Sequence, residues 1–281
     1  MHRRAFLNLG LTAAGAVALP AAPAARRASD RVLLGPMKVP VTRLAVGTGT
    51  NGVGGSSNQT RKLGLGGLAE LLEAACDQGV RFWDSADQYG THPHLRHALK
   101  RVRREQVAIL SKTRASTAAE ARADLDRFRR ELGTDYIDVL LLHCMTEGDW
   151  PERMKGVMEV LAEARERGLV KTHGVSCHSI PALEAAALTP WAQVVLARIN
   201  PAGVAMDGPP PAVLPVLARL KAAGKGVIGM KILGVGRLRS RLEECLRYAL
   251  SLEALDCFTI GCESRQELAE LVDRIARLGA A

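Results

Sequence analysis

Residues 80–90 read VRFWDSADQYG, and this stretch decides how the rest of the chain is interpreted. Its opening, residues 80–83, is a short apolar run typical of a buried strand. Asp84 ends the run, and Tyr89 follows five residues later, just before a break at Gly90. A carboxylate at a strand end and a phenol in the loop beyond it can face one pocket.

Two later apolar runs also end in residues capable of chemistry. Residues 107–112 end at Lys112, and residues 137–143 end at His143. In barrels of parallel strands the carboxyl ends of all strands meet at one rim, where active sites are built. The sequence therefore predicts that Asp84, Tyr89, Lys112 and His143 converge.

The 281-residue chain alternates apolar runs with helical periodicity after residue 42. This pattern is typical of parallel βαβ units, and eight of them predict an α/β fold with a closed (β/α)8 TIM barrel. The alternative is a doubly wound sheet, but residues 47–52, GTGTNG, fit its Gly-rich turn only loosely. The predicted strands are 43–48, 80–84, 107–112, 137–143, 172–176, 194–199, 226–231 and 256–260, and the predicted helices are 67–78, 94–101, 118–132, 152–167, 181–187, 211–223, 240–250 and 265–278.

Residues 31–42 are predicted to form a β-hairpin around Gly35 and Pro36. Such a hairpin would cap the bottom of the barrel, its N-terminal mouth. With no internal repeat or linker after it, residues 31–281 are predicted to be one domain.

The charge pattern argues against a nucleic-acid partner. The formal net charge is +9, but arginine clusters such as residues 101–104 and 127–130 have acids nearby, which is typical of solvated helix faces. Neither zinc-finger spacing nor an RNA-binding aromatic signature occurs. An electropositive cleft for a cofactor phosphate remains compatible with this charge.

Residues 1–25 are predicted to be an export signal rather than part of the fold. Arg3 and Arg4 precede Phe6 and an apolar run at residues 9–19, which is similar to a twin-arginine signal. An ordinary secretory signal and an uncleaved anchor are the alternatives. The prediction is a periplasmic protein that engages the twin-arginine export machinery.

No metal site is predicted. The six cysteines form no Cys-x-x-Cys pair, so they are interpreted as small buried hydrophobic residues. His94 and His97 have helical ligand spacing, but no cysteine or acid lies beside them. Together with His92 they are interpreted as a solvated or substrate-loop cluster.

The order Asp, Tyr, Lys, His, each at or just after a strand end, resembles the catalytic tetrad of the aldo-keto reductases. Residues 79–90, 136–143 and 174–176 match motifs of that family, and the resemblance covers residues 31–278. It implies an NAD(P)H-dependent oxidoreductase that reduces an aldehyde, ketone or sugar to an alcohol. NADP is the expected cofactor, with NAD as the alternative, and a small carbonyl or alcohol is the expected substrate.

The tetrad residues suit that chemistry. Carbonyl reduction needs a proton donor for the oxygen, and Tyr89 would be that acid. A free phenol has a pKa of about 10, and a cation at Lys112 is expected to lower it. Asp84 would fix Lys112, while His143 would donate a hydrogen bond to the carbonyl oxygen or relay the proton.

The resemblance also implies a set of cofactor-binding residues. Ser176 would hold the nicotinamide carboxamide, Met230 would pack on its ring, and Lys231 would either reach a phosphate or lie on the surface. Residues 261–268 would hold the adenosine phosphate, with Arg265 at a 2′-phosphate. The full predicted set is Gly47, Thr48, Ser176, Cys177, Met230, Lys231, Leu233, Gly261, Ser264 and Arg265.

Three positions around the expected nicotinamide site depart from the family pattern. The family usually has Asn at position 177, Gln at 196 and an aromatic near 230, where this chain has Cys177, Leu196 and Met230. The departures leave open a non-redox function for an exported barrel. It would be a binding module or a cofactor-independent sugar lyase or isomerase.

Overall fold

The computed structural model describes residues 26–279. The predicted export signal at residues 1–25 lies outside this range. Among the described residues, no helix is both long and apolar enough to cross a membrane.

An N-terminal hairpin closes one end of the molecule. Strands β1 (Arg31–Leu34) and β2 (Val39–Thr42) pair antiparallel. Leu34 packs with the residues of the barrel interior. Gly35 has φ +62°, and a Cβ there would lie 2.9 Å from the carbonyl oxygen of Gln193. The turn thus sits directly on the barrel, and the predicted cap is confirmed.

Eight parallel strands form a closed barrel in chain order, which confirms the predicted (β/α)8 fold. Each strand falls within three residues of its predicted bounds. The strands are β3 (Leu44–Gly47), β4 (Phe82–Asp84), β5 (Ala108–Thr113), β6 (Ile137–Met145), β7 (Val170–Cys177), β8 (Val194–Arg198), β9 (Gly226–Met230) and β10 (Cys257–Gly261).

The helices surround the barrel. They are α1 (Asn58–Asp77), α2 (His92–Ala98), α3 (Ala118–Leu132), α4 (Trp150–Arg153), α5 (Lys155–Glu166), α6 (Ile180–Leu188), α7 (Pro210–Ala222), α8 (Leu242–Ser251) and α9 (Arg265–Gly279). The predicted helix at 152–167 is interrupted at Met154, which separates α4 from α5.

Helix α1 begins nine residues earlier than its predicted start at residue 67. Ser57 and Thr60 form a capping box, in which each side chain accepts from the other residue's backbone amide. Gly64 then kinks the helix with φ 61°. The glycines between 64 and 67 hid this first turn in the sequence, because glycine weakens a helical pattern.

Strand alternation decides what faces the barrel interior. Phe82, Leu110 and Leu141 belong to the interior cluster, whereas Trp83 and Leu140 pack outside against the helices. Successive side chains of a strand point to opposite faces. The residues two positions after the interior ones therefore reach the C-terminal rim pointing inward.

Candidate active site

Three of the predicted tetrad residues reach this rim in phase with the interior side chains. Asp84 ends β4, Lys112 lies near the end of β5 and His143 lies near the end of β6. All three are buried. The barrel therefore brings together groups that are distant in sequence.

Lys112 is the centre of this group and only 1% exposed. Its ammonium pairs with Asp84 Oδ1 and donates to the Ser85 carbonyl oxygen at 2.8 Å. Thr259 Oγ1 donates to the other Asp84 oxygen at 2.9 Å. Burial alone would lower the pKa of Lys112, but Asp84 and then Tyr89 outweigh it and raise that pKa. Lys112 therefore stays charged.

Tyr89 ends a single 3-10 turn, Asp87–Tyr89, which Gly90 closes with φ 65°. Its ring lies under the loop after β3, so closely that a Cβ at Gly49 would come within 2.2 Å of it. The Lys112 Nζ atom is 4.9 Å from the ring centroid.

The pKa of Tyr89 is raised, mainly because the phenol is buried, although Lys112 acts in the opposite direction. The sequence alone predicts that Lys112 lowers this pKa. Burial of the phenol, which the sequence does not reveal, outweighs that effect because it favours the neutral phenol over the charged phenolate. Tyr89 therefore holds its proton at neutral pH, as a proton donor must.

His143 completes the group, with its ring centroid 5.7 Å from that of Tyr89 in an edge-on arrangement. Burial and then the nearby charge of Lys112 lower its pKa to about 2. The imidazole is therefore neutral at physiological pH.

A cleft that is partly open to solvent adjoins Asp84, Tyr89 and Lys112. It extends towards β9, β10 and the loop after β3. Half of the predicted cofactor set lines it, namely Gly47, Met230, Lys231, Leu233 and Gly261.

The other predicted cofactor residues are engaged elsewhere. Thr48 Oγ1 donates to the Asp84 carbonyl oxygen at 2.9 Å. Ser176 Oγ accepts from the Cys144 amide at 3.3 Å. Cys177 is fully buried in the outer core, and its thiol contacts the Ala182 carbonyl oxygen at 3.6 Å, because position 177 alternates outward. It does not line the cleft.

The last two predicted residues lie at the start of α9. Ser264 Oγ accepts from the Glu267 amide at 3.0 Å, and Arg265 pairs with Glu70 on α1 at 2.9 Å. Neither side chain lines the cleft.

Several further residues that were not predicted from the sequence line the cleft. Arg239 supplies a second cation beside Lys231, while Thr50, Asn51 and Thr259 supply polar groups. Thr259 could have been found, because it lies two positions before Gly261 on the inward face of β10. Arg239 follows an irregular loop, and no periodic pattern marks it.

The three histidines of the 92–97 segment do not act together. His92 is buried, and its two ring nitrogens contact Glu131 Oε2 at 2.8 Å and Ser111 Oγ at 2.7 Å. It therefore joins α2 to α3 and β5, and its interpretation as solvated or substrate-facing is wrong. Among the described residues, no group of three acidic, histidine or cysteine side chains could hold a metal ion.

The family model of the aldo/keto reductases matches residues 44–278. The chain belongs to the aldo/keto reductase family.

Individual relatives are more distant. The chain is 33% identical over 128 residues to a 2,5-diketo-D-gluconic acid reductase B from a Corynebacterium species, which covers 42% of the chain and 43% of that protein. It is 27% identical over 158 residues to aldo-keto reductase YhdN of Bacillus subtilis, which covers 50% and 45% respectively. The matches thus span less than half the length of these curated relatives.

Solved structures share the fold over nearly the whole chain. A Pseudomonas aeruginosa protein assigned to the aldo-keto reductases has a TM-score of 0.73 at 22% identity, covering 91% of this chain and 98% of that one. A Bombyx mori aldo-keto reductase in complex with NADP has a TM-score of 0.65 at 16% identity, covering 89% and 92%.

Proposed function

We propose that this protein is an NADP(H)-dependent oxidoreductase that reduces a small carbonyl compound to an alcohol, with Tyr89 as the general acid. The convergence of Asp84, Lys112, Tyr89 and His143 on one rim carries the proposal. Membership of the aldo/keto reductase family supports it.

The side chains suit proton delivery. A reduced nicotinamide, when bound, supplies hydride to the carbonyl carbon. Tyr89 gives its proton to the oxygen as negative charge develops there, and the Lys112 ammonium stabilises the phenolate that remains. Asp84 holds Lys112 in place. Neutral His143 donates a hydrogen bond to the carbonyl oxygen, a contribution on the order of 3 kcal/mol to the barrier.

The cleft has features that suit a dinucleotide. Gly47 and Gly261 line it, and a Cβ at Gly261 would fall 2.3 Å from Thr50 Oγ1, so the backbone itself forms this wall. Lys231 and Arg239 place two cations there for phosphates, and Met230 offers an apolar contact for the nicotinamide ring. We assign Arg239 to the phosphate of the adenosine half, because it lines the cleft and Arg265 does not. Arg239 also lies 3.9 Å from Glu263 and 3.7 Å from Glu267, so a phosphate would compete with these carboxylates for it.

Titration of NADPH and NADH by fluorescence, on the chain from residue 26 onward, tests this assignment. We expect the unmodified protein to bind nucleotide. Lys231→Met should weaken the binding of both NADPH and NADH. Arg239→Gln should weaken NADPH more than NADH if Arg239 meets the 2′-phosphate. Arg265→Gln is the matched control and should change neither. If the unmodified protein binds neither nucleotide, the proposed oxidoreductase is wrong.

One observation favours a second candidate. Leu196 places an apolar group on the cleft wall where the family pattern has Gln, and Cys177 points away from it. Two polar contacts to a carboxamide are thus missing. A non-redox barrel, either a binding module or a sugar lyase or isomerase using Tyr89 and Lys112, would need neither contact. Conversion of a sugar by the protein without added nucleotide would support the lyase or isomerase function over the reductase.

We also propose that residues 1–25 direct export by the twin-arginine route. The Arg3–Arg4 pair ahead of an apolar run supports this proposal. Replacement of both arginines by lysine should leave the protein in the cytoplasm, and unchanged periplasmic recovery would contradict it.

A further inference from the structure

A second polar group lies beside the tetrad, at the ends of β6, β7 and β8. It consists of Cys144, His178, Arg198 and Asp207, and we call it the Arg198 cluster. None of its members lines the cofactor cleft. Proton delivery, as described above, uses none of them.

Arg198 points inward because it continues the alternation of Val194 and Leu196, both interior residues of β8. Its Nη2 atom contacts His178 Nδ1, and its Nη1 atom lies 3.4 Å from Asp207 Oδ1. Its Nε atom has no hydrogen-bond partner among the described residues. That Nε atom is buried, whereas the side chain as a whole is 22% exposed, and the guanidinium retains unused donors.

Asp207 does not satisfy the hydrogen-bond donors of this guanidinium. Its side chain is fully buried, yet within the described part of the chain neither carboxylate oxygen has a hydrogen-bond partner. Burial raises its pKa to about 6, with Arg198 opposing. A carboxylate that met the planar guanidinium with two aligned hydrogen bonds would be a better partner, because such bidentate pairs are the strong ones.

The surrounding charge is positive. Protonation of His143 and of His178 is disfavoured by the nearby charges of Lys112, Arg114 and Lys231. Arg198 also disfavours protonation of His178. Of these cations, Lys112 pairs with Asp84, and Arg198 lies 3.4 Å from Asp207. Burial and this field lower the pKa of His178 to about 3, so His178 is neutral and can accept from Arg198.

The Arg198 cluster adjoins the tetrad through a row of neighbouring rings. The His143 and His178 rings lie edge-on, 6.4 Å apart, and the Tyr89 and His143 rings are 5.7 Å apart. A molecule whose carbonyl meets Tyr89 and His143 can therefore extend past His178 to Arg198. An acid group several bonds from that carbonyl would arrive at the guanidinium.

We propose that Arg198 binds the carboxylate of the substrate, which is then an aldehyde acid or keto acid rather than a neutral carbonyl compound. This substrate class rests on the proposed reductase function. The reaction adds hydride to the carbonyl carbon and the Tyr89 proton to its oxygen, which gives a hydroxy acid and the oxidised nucleotide. The carboxylate itself is unchanged.

A matched pair of four-carbon aldehydes tests the proposal. We expect NADPH-dependent reduction of succinic semialdehyde with kcat/KM at least tenfold above that of butanal. Arg198→Gln should lower kcat/KM for the acid about 10- to 100-fold, the scale of a lost hydrogen bond to a charged group, mainly through KM. It should leave butanal within about twofold. Arg198→Lys should recover part of the loss, and Arg153→Gln, which removes an exposed cation at the same end of the barrel, should change neither substrate.

Calorimetric titration of butanoate and butanamide, with and without NADP, separates this proposal from the reductase function. Arg198-dependent binding of butanoate alone would support the carboxylate subsite even if neither aldehyde were reduced. Equal use of both aldehydes by the unmodified protein would overturn the subsite and leave the reductase standing. An equal loss for both aldehydes in Arg198→Gln and Arg198→Lys would assign Arg198 a merely structural role.

Discussion

Lys112 and Asp84 form a buried ion pair at the closed wall of the barrel, where their side chains are 1% and 10% exposed. The pair is held from both sides, since Lys112 also donates to the Ser85 carbonyl oxygen and Asp84 accepts from Thr259. The pair joins β4 to β5, and the hydrogen bond from Thr259 links both strands to β10. The pair therefore serves both the fold and the position of the cation beside Tyr89.

Asp84→Asn should destabilise the protein by about 3–5 kcal/mol, because it leaves the Lys112 charge buried without its counterion. Urea denaturation followed by circular dichroism measures this change. Thr259→Val removes only the hydrogen bond to Asp84 and should cost about 1–3 kcal/mol. Equal stability of Asp84→Asn and the unmodified protein would show that the pair is not as buried as described.

Gly49→Ala should impair catalysis without unfolding the protein. The added Cβ would lie 2.2–2.5 Å from atoms of the Tyr89 ring, so the ring or the loop must move. A displacement on the order of 1 Å can cost about 100-fold in rate. We expect a loss in kcat of that order. Gly66→Ala is the control, because its Cβ meets nothing within 4 Å. A normal kcat for Gly49→Ala would contradict the packing of this loop on Tyr89.

The fold was predictable because barrel strands are nearly continuous apolar runs between amphipathic helices, and all eight were located from that pattern. The tetrad followed, since Asp84, Lys112 and His143 end those runs. Helix α1 was the weak point, because its capped first turn is followed by glycines that break the periodicity.

The residues of the proposed cofactor cleft were less predictable, since they depend on side-chain direction and on pairing. Cys177 follows inward-facing Ser176 and therefore points outward, which strand alternation alone could have indicated. The pairing of Arg265 with Glu70 joins residues 195 positions apart, and no local pattern reports it. Arg198 was overlooked because a cation at the end of an apolar strand looks like a surface residue until the barrel closes.

Buried histidines should make the protein sensitive to acid. His173 stacks on Trp191 with ring centroids 4.4 Å apart, and burial and then Arg165 lower its pKa from 6.5 to about 4. Between these values the unfolded chain binds the proton and the folded chain does not. The free energy of unfolding therefore falls as pH decreases from about 6.5 towards 4, by up to roughly 1.4 kcal/mol per pH unit for this residue.

His173→Phe tests this effect, since the ring can still stack on Trp191 but does not titrate. Urea denaturation at pH 7 and pH 4.5 should show a smaller acid-induced loss of stability in the variant than in the unmodified protein. His143 and His178 remain and account for the residual loss. An identical pH dependence of the two proteins would contradict the lowered pKa of His173.

Carbonyl-dependent oxidation of NADPH by the unmodified protein and by Tyr89→Phe, with NADPH affinity measured on both, tests the central claim most directly. The account predicts that both proteins bind NADPH equally and that kcat falls by about 100- to 10,000-fold in Tyr89→Phe, because only the proton donor is lost. If Tyr89→Phe reduced the carbonyl compound as fast as the unmodified protein, Tyr89 would not be the acid and the assignment of this site would be wrong.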